Sequence, residues 1–470
     1  MFLELKKEQL GPIPRYENGR LPEPEGGAVN YAFLVHPDLA DLRIMKPNDP
    51  TVERNIVRAE AFYAKRHRPG GFAHDLFKMQ GVEIIGLLKH ETNCFEGRLI
   101  HGECPRRRRR VSYGALIHVP YFSDSFRFAM TEPGDERYDD KFKADAISLK
   151  REIFSKGLIP ALKLAHEIGA GFVGYGKLTS SLTNNGQDLD DLGIVHGTSG
   201  NSLTAWALFQ STIRVFRKLM PVKLLLRTGT LLFIGSTGAV GRPACELLAP
   251  YFARGMIILG CQDAPASIAR AERMKRILVK QYRIDAKRVL VRSDINAVLP
   301  YTDVNAVATS AVGTSECPID WTRAKPGSCL CEISRPSALS EGAGAVEHFL
   351  AFDGSYVTMP GGFIDSSYLI YGIDRTDLTL ACLAETAGAA LSGATLSQSI
   401  GTDRSAVLAK EIFVQQKKLG FYVGKPRWEG KVIPKFRYEQ VREAGEKHEH
   451  EKKAKSSIIL PLDPLGQSAY

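Results

Sequence analysis

The sequence has no apolar run as long as the about 20 residues that a membrane-spanning helix requires. Its most apolar stretches are residues 222–234, which Arg227 interrupts, and residues 458–462. Residues 1–12 carry lysine and glutamate where a secretory signal needs an apolar stretch. We therefore expect neither an integral membrane protein nor a secreted one. A cytoplasmic protein is predicted, with peripheral membrane contact as an alternative.

Cysteine is also sparse, and its spacing suggests no cross-linked or metal-bound framework. Eight cysteines are spread over 470 residues, and no two of them form a Cys-x-x-Cys pair. The sequence thus predicts no disulfide framework and no metal site. No internal repeat is apparent. Because single domains rarely grow beyond about 250–300 residues, a chain of this length predicts two or three domains.

Composition and periodicity change along the chain in four segments. Residues 1–30 are rich in proline and glycine and predict an extended arm. Residues 31–225 mix strand and helix patterns and predict a substrate domain. Residues 226–365 alternate short apolar strands with helical periods, which is typical of a parallel sheet covered on both faces. Residues 366–470 predict C-terminal helices and a charged tail.

A glycine-rich loop follows the first apolar strand of the third segment and precedes a helix. It reads Gly235-Ser236-Thr237-Gly238-Ala239-Val240-Gly241. The first glycine suits a tight turn, the second a close approach of phosphate to the backbone, and the third close packing of helix on strand. No Gly-Lys-Ser/Thr follows, so a P-loop is excluded. A plain turn from strand to helix is the alternative.

These patterns together predict an α/β protein. Its dinucleotide domain is a Rossmann-type doubly wound parallel sheet. An N-terminal mixed α/β domain, completed by the C-terminal helices, accompanies that sheet. The loop predicts a nicotinamide dinucleotide, and Ser310 and Gly362 are expected near its reactive ring.

The choice between NADPH and NADH depends on the end of the second strand of this sheet. An acid there binds the ribose hydroxyls of NAD, whereas an arginine accepts the 2′-phosphate of NADP. The chain reads Gln262-Asp263 at this point, and Arg270 and Arg273 follow on the next helix. Asp263 favours NADH and the arginines favour NADPH. Local chemistry therefore leaves the choice open.

The catalytic group is not the Tyr-x-x-x-Lys pair of short-chain dehydrogenases, because no such pair follows Gly241. Cys382 could be a thiol nucleophile that holds an acyl group. It lies in an alanine-rich segment that predicts a helix over residues 374–391, with Thr376 as the N-cap. Such a cysteine is more often a small buried residue, and a helix start at residue 374 keeps it out of the first turn. The residues alone favour a structural role.

At these residues the sequence resembles the cyanobacterial-type long-chain acyl-[acyl-carrier-protein] reductases. The shared motifs keep one order between about residue 31 and residue 425. They are Gly97–Gly102, Gly174–Ser181, Thr198–Ala205, the glycine loop, Pro360–Phe363 and Ala381–Glu385. The resemblance implies that Cys382 is the acylated nucleophile and that NADPH donates the hydride. Gln262 stands where that family usually has arginine, so NADH stays an alternative.

The resemblance also implies a reaction and its supporting residues. A long-chain fatty acyl thioester, carried on acyl carrier protein or on CoA, would be reduced to the fatty aldehyde. Two loops could bind the oxyanion or favour the thiolate of Cys382. Their candidate residues are Lys177, Thr179, Ser180, Asn201 and Thr204, with ordinary turn chemistry as the alternative. His196 is a weaker candidate and could equally be structural.

Residues 106–110 are five consecutive arginines in a chain of net charge +10. A solvated surface stretch is the ordinary interpretation of Arg106, Arg107, Arg108, Arg109 and Arg110. An acidic acyl carrier protein could dock there, and anionic lipid is a second candidate. No interleaved aromatics suggest nucleic acid. Two other functions stay open: a shikimate dehydrogenase- or glutamyl-tRNA reductase-like enzyme with a small substrate, and a non-catalytic nucleotide-binding scaffold.

Overall fold

The computed structural model describes residues 19–36, 82–96, 106–121, 123–131, 139–176, 178–220, 229–308, 319–333, 346–364, 375–401, 405–428 and 430–457. The chain divides into two compact units. The first unit comprises residues 1–210, 238–247 and 354–431. The second comprises residues 211–237, 248–353 and 432–470.

The strands of the described residues are short except for two. In chain order they are β1 Tyr31–Val35, β2 Glu83–Glu96, β3 Arg106–His118, β4 Phe172–Tyr175, β5 His196–Thr198, β6 Thr230–Ile234, β7 Met256–Gly260, β8 Val289–Arg292, β9 Val304–Val307, β10 Cys329–Glu332, β11 Leu350–Asp353, β12 Tyr356–Thr358, β13 Gly361–Phe363, β14 Leu378–Leu380, β15 Tyr422–Val423, β16 Arg427–Trp428 and β17 Lys431–Val432.

Helices lie between some of these strands and after the last one. In chain order they are α1 Ser123–Ala129, α2 Asp140–Glu152, α3 Ile159–Glu167, α4 Leu178–Leu182, α5 Gln187–Asp190, α6 Asn201–Leu219, α7 Gly241–Leu248, α8 Pro265–Tyr282, α9 Ile295–Val298, α10 Ala381–Ser392, α11 Ala406–Lys418 and α12 Lys435–Ser457. A π-helical segment, Ile153–Leu158, joins α2 to α3. Short 3-10 turns cover Ala249–Phe252, Ala286–Arg288, Leu299–Tyr301 and Trp321–Arg323. Within the described part of the chain, no helix is long and apolar enough to cross a membrane.

The described residues of the first unit form a six-stranded sheet in the order β13-β2-β3-β1-β4-β5. Strands β3, β1, β4 and β5 are parallel, and β2 and β13 run antiparallel to their neighbours. Every residue of β1 and β4 is buried, as expected for parallel strands covered on both faces. The carboxyl ends of the four parallel strands therefore meet at one edge. Strands β14, β12 and β15 form a separate antiparallel sheet.

The second unit contains six parallel strands in the order β11-β10-β9-β6-β7-β8. Counted from β6 as the first strand, this is the 3-2-1-4-5-6 order of the Rossmann fold, reversed in direction. The order confirms the predicted doubly wound sheet. The protein is an α/β protein in which a mixed sheet accompanies the parallel one.

The alanine-rich helix begins later than its sequence predicts. Residues 378–380 pair with β12 as strand β14, so the helix starts at Ala381, and Leu380 precedes it in an extended conformation. The expectation of a helix from residue 374 with Thr376 as N-cap is wrong. Pairing with β12 satisfies the backbone of residues 378–380 and overrides their helical periodicity.

The compact units differ from the predicted segments, and residues 211–225 and 238–247 also change unit. Residues 19–30, predicted as an extended arm, are packed: Leu21 is buried, and Val29 donates its amide to the carbonyl of Ala390 at 2.9 Å. Strand β13 lies in the sheet of the first unit, although it was included in the predicted dinucleotide segment. The predicted C-terminal segment is divided, since α12 belongs to the second unit. There Arg437 donates to backbone carbonyls of residues 346, 347 and 349.

Candidate functional site

Cys382 is the second residue of α10 and therefore lies in the first turn of the helix. Leu380, the N-cap, provides no side-chain hydrogen bond, and the amide of Ala381 donates to the carbonyl of Ser355 at 2.7 Å. Cys382 itself is half-buried. The first turn of a helix has amides without intrahelical acceptors and the positive end of the dipole, an environment that favours a thiolate. The sequence-based argument that the dipole has little effect here is thus corrected.

Gly200 brings the start of a second helix against this cysteine. It precedes α6 with a φ of +70°, a conformation that favours glycine. A Cβ atom placed on Gly200 would lie 2.5 Å from both the Cα and the Cβ of Cys382. Only a residue without a side chain can approach so closely. The N-termini of α6 and α10 therefore meet at Cys382.

Glu385, one turn after Cys382 on α10, links the two helices and was not identified from the sequence. It is completely buried, and its carboxylate accepts hydrogen bonds from the hydroxyl of Thr198 and the amide of Leu203, each at 2.6 Å. Burial raises the pKa of Glu385, while donors that include Thr198, Leu203 and Ser399 oppose that change. The Cys-x-x-Glu spacing, which places both residues on one helix face, was the available signal.

The two segments predicted as loops are largely helical, since Leu178–Leu182 is α4 and α6 begins at Asn201. Their residues come together at the carboxyl edge of the first sheet. The side-chain amide of Asn201, after β5, donates to the hydroxyl of Ser180, after β4, at 3.3 Å. Thr204 donates its hydroxyl to the carbonyl of Gly200 at 2.7 Å. The hydroxyl of Thr179 is buried, and no hydrogen-bond partner for it is found among the described residues. Lys177 lies outside the described residues.

Two histidines of this region have contacts of different kinds. His36, at the end of β1, is buried and accepts the amide of Leu178 on Nε2 at 2.9 Å; its Nδ1 lies 3.1 Å from the hydroxyl of Ser123. Because Nε2 is an acceptor, the neutral ring carries its proton on Nδ1 and anchors α4. His196 is exposed, with Nδ1 3.4 Å from the hydroxyl of Ser397.

The glycine loop occupies the place that the Rossmann order assigns to phosphate. Gly235 follows β6 with a φ of +81°, and Gly241 begins α7. Strands β7 and β9 lie on opposite sides of β6, so β6 borders the topological switch point of the sheet. Ser236 is buried, Thr237 and Gly238 are exposed, and Ala239 and Val240 are half-buried. The loop therefore fits a dinucleotide pyrophosphate at a helix N-terminus.

The end of β7 offers polar and cationic groups for the ribose. The amide of Gln262 donates to the hydroxyl of Ser267 at 3.1 Å. The amide of Cys261 donates to the carbonyl of Arg292, the last residue of β8, at 2.9 Å. Arg292 was not identified from the sequence, because only strand pairing brings it beside β7. Of the predicted arginines on α8, Arg270 is half-buried and Arg273 is exposed.

The two other residues predicted to contact the cofactor are Ser310 and Gly362. Ser310 lies outside the described residues. Gly362 is in β13 of the first unit, where a Cβ atom would lie 2.0 Å from the carbonyl oxygen of Thr376. A side chain at residue 362 would therefore clash with the backbone of Thr376. A contact of Gly362 with the cofactor stays a prediction.

The arginine run begins β3. Arg109 contacts the carboxylates of Glu91 and Glu25, with closest distances of 2.8 and 2.7 Å. The bond from Arg109 lowers the pKa of Glu91. Arg110 donates to the carbonyls of Leu391 and Ser392 at the end of α10. Arg108 is exposed, and the side chains of Arg106 and Arg107 lie outside the described part of the structure.

Metal ligands do not cluster in the described ranges. No group of three or more histidine, cysteine, aspartate or glutamate side chains within those ranges is arranged to hold a metal ion.

No protein-family model and no curated protein matches this chain. Similar solved structures include a shikimate dehydrogenase from Aquifex aeolicus, at 14% identity over 44% of this chain and 60% of that one, with a TM-score of 0.24. A quinate dehydrogenase from Corynebacterium glutamicum in complex with NAD is 10% identical over 82% of this chain and 99% of that one, with a TM-score of 0.29. The match spans 60% of the length of the Aquifex protein, less than two thirds. Likeness this weak carries no functional argument, and the fold class rests on the strand order.

Proposed function

We propose that this chain is a nicotinamide-dependent oxidoreductase that reduces a long-chain fatty acyl thioester to the fatty aldehyde through an acyl-cysteine at Cys382. One observation carries the proposal: a half-buried cysteine in the first turn of α10 lies against Gly200 at the start of α6. Two helix N-termini beside one cysteine suit a thiolate and a developing oxyanion.

The chemistry divides into two steps at one sulfur. The Cys382 thiolate attacks the thioester carbonyl, so a new carbon–sulfur bond forms while the bond to the carrier sulfur breaks. The carrier leaves as a thiol after taking a proton from solvent. When bound, a reduced nicotinamide would supply a hydride to the acyl carbon. The thiohemiacetal alkoxide on Cys382 then re-forms the carbonyl, expels the Cys382 thiolate and releases the aldehyde.

The residues around the loop after β6 are consistent with a bound dinucleotide. Experiment must decide whether it carries a 2′-phosphate, that is, whether it is NADPH or NADH. Arg292, the last residue of β8, pairs with Gly260 at the end of β7, so it is one more candidate for holding a 2′-phosphate there. This favours NADPH. Asp263 favours NADH, which we keep as the alternative.

Docking of an acidic acyl carrier protein on residues 106–110 stays part of the proposal. Arg108 and Arg109 are exposed, so an acidic partner could reach these two side chains. Acyl-CoA is the alternative donor. A cytoplasmic location, with peripheral membrane contact as the alternative, also stays a prediction.

A dehydrogenase of a small polar substrate is the second candidate function. The buried hydroxyl of Thr179, for which the described residues show no partner, favours it because a polar ligand would satisfy that group. The linked side chains of Ser180 and Asn201 add further polar groups at the same sheet edge. This function needs no covalent bond to Cys382.

Intact-mass spectrometry after mixing the protein with an acyl carrier thioester, without reductant, tests the proposal. We expect one acyl adduct, mapped to Cys382, and its conversion to aldehyde when NADPH is added. Cys382→Ala should form no adduct and lose turnover by about 10³-fold or more. Cys261→Ser, at another half-buried cysteine, is the matched control and should retain both. Substantial turnover by folded Cys382→Ala would instead support the small-substrate dehydrogenase.

A further inference from the structure

The first turn of α10 and the start of α6 are held together by one buried carboxylate. We propose that Glu385 is a positioning residue that fixes the segment Thr198–Leu203 against Cys382, so that the backbone donors of both helices stay aligned with the sulfur. This inference rests on the proposed function. It assigns Glu385 no contact with the substrate.

The Glu385 carboxylate accepts hydrogen bonds from residues before the start of α6 and from residues in its first turn. One carboxylate oxygen accepts the Thr198 hydroxyl at 2.6 Å, before the helix. The other accepts the Leu203 amide at 2.6 Å, in the first turn. The Ser202 amide and the Ser399 hydroxyl also donate to the carboxylate. A buried carboxylate with donors on both oxygens fixes its partners in one arrangement.

A short chain of contacts leads from Glu385 to Cys382. The Thr198 hydroxyl, which donates to Glu385, also accepts the Gly200 amide at 3.1 Å. Gly200 then lies directly against the Cα and Cβ atoms of Cys382. The position of the glycine therefore depends on the carboxylate through a single threonine.

The backbone and flanking groups of Glu385 are fixed as well. The side-chain amide of Gln416 donates to the Glu385 carbonyl at 3.0 Å. The hydroxyl oxygens of Ser399 and Ser202 lie 2.7 Å apart, and Ser399 has a φ of +55°. A left-handed serine is uncommon and is maintained only by its surroundings. The region around the carboxylate is thus built to hold one geometry.

This geometry requires that both side-chain oxygens of Glu385 accept hydrogen bonds. In Glu385→Gln the new side-chain NH2 has two orientations. Facing the Leu203 amide, it would oppose donor to donor in a buried place. Facing Thr198, it would make that hydroxyl accept instead of donate, so the bond from Thr198 to a charged carboxylate is lost, and in either orientation the segment shifts. A displacement of about 1 Å can cost an enzyme about 10²-fold in rate.

The test measures the rate at which iodoacetamide alkylates Cys382 as a function of pH. Mass spectrometry of the peptide that contains Cys382 gives the extent of alkylation. We expect Glu385→Gln to move the midpoint of this profile upward, toward the about 8.5 of an ordinary cysteine, because the backbone donors no longer face the sulfur. A purely electrostatic role predicts the opposite shift, because removing a negative charge favours a nearby thiolate. Single-turnover acylation should fall about tenfold or more.

Two further variants keep the test decisive. Thr198→Val breaks the link to Gly200 while leaving the amide donors of Glu385, and should raise the midpoint by a smaller amount. Glu246→Gln is the matched control: Glu246 is another buried carboxylate, and it accepts the amide of Ala406 at the start of α11 at 3.2 Å. That variant should lose stability but retain the Cys382 profile.

The possible results separate this inference from the proposed function. An unchanged or lowered midpoint in folded Glu385→Gln and Thr198→Val overturns the positioning role, whether or not the wild type takes an acyl group. A raised midpoint together with no acylation of the wild type supports positioning and rejects the thioester reductase. Alkylation needs no acyl substrate, so the two questions are answered independently.

Discussion

At the scale of single residues, the site depends on Gly200 having no side chain. Its left-handed backbone and its contact with Cys382 each exclude a side chain, and they do so for different reasons. The first is local strain, which any non-glycine residue meets at a positive φ. The second is tertiary, because the neighbouring backbone of α10 occupies the position of a Cβ atom.

Gly200→Ala should therefore be more destabilising than the backbone strain alone. We expect a loss of about 2–4 kcal/mol in the free energy of unfolding, from left-handed strain of about 1–2 kcal/mol plus the overlap with Cys382. Urea unfolding measures it. The control is Gly193→Ala, at a φ of +63° with no atom within 4 Å of the added carbon, which should lose only the strain. Equal losses in the two variants would contradict the contact.

At the scale of elements, α10 is held at both ends. Its first turn contains Cys382 and is linked to α6 through Glu385. Its last turn ends at Gly393 with a φ of +77°, and Arg110 from β3 donates to the carbonyls of Leu391 and Ser392. A cation at the C-terminus complements the helix dipole. One residue of the arginine run thus supports the helix that presents the cysteine.

Arg110→Gln should weaken this helix, whereas Arg108→Gln should not. We expect the first variant to lose about 1 kcal/mol, since a charged cap at a half-buried helix end is removed, and its Tm to fall by about 2–4 °C. Arg108 is exposed, and its replacement should leave the Tm within error. Thermal unfolding followed by circular dichroism compares the two. Equal Tm values for wild type and Arg110→Gln would show that the cap contributes nothing.

At the scale of the whole molecule, a buried histidine should link stability to pH. His90 on β2 accepts the Tyr31 hydroxyl on Nε2 at 2.7 Å and donates Nδ1–H to the Pro360 carbonyl, 3.2 Å away. It thus joins β1, β2 and the start of β13. Burial lowers the pKa of His90 to about 4, although the bond to Pro360 opposes the shift. The folded protein therefore binds fewer protons than the unfolded chain between pH 6.5 and 4.

The stabilisation from neutral His90 should be complete above pH 6.5 and lost as the pH falls toward 4. The shift from 6.5 to about 4 corresponds to about 3 kcal/mol in the free energy of unfolding. His90→Gln, which keeps one donor and one acceptor without titrating, should remove that part of the pH dependence. His166→Gln, at an exposed position, is the control and should follow the wild type. Parallel curves for His90→Gln and wild type in urea unfolding would contradict the assignment.

The division into units shows which parts of the fold the local sequence pattern can predict. Alternating apolar strands and helices around the glycine loop predicted the parallel sheet of the second unit, and its strand order confirms that fold. The C-terminal helices were expected to complete the N-terminal domain, whereas residues 354–365 were assigned to the dinucleotide segment and belong to the first unit. The pairing of β13 with β2 and the contact of Val29 with Ala390 join segments more than 250 residues apart. No local period contains such pairings.

The sequence by itself determined the glycine loop and the doubly wound sheet, because both follow from short-range periodicity and turn chemistry. Tertiary structure alone decided where α10 begins, since pairing of Leu378–Leu380 with β12 converts predicted helix into strand and moves Cys382 into the first turn. It also decided the role of Glu385. The donors to that carboxylate come from segments nearly 190 residues earlier, and only folding brings them together.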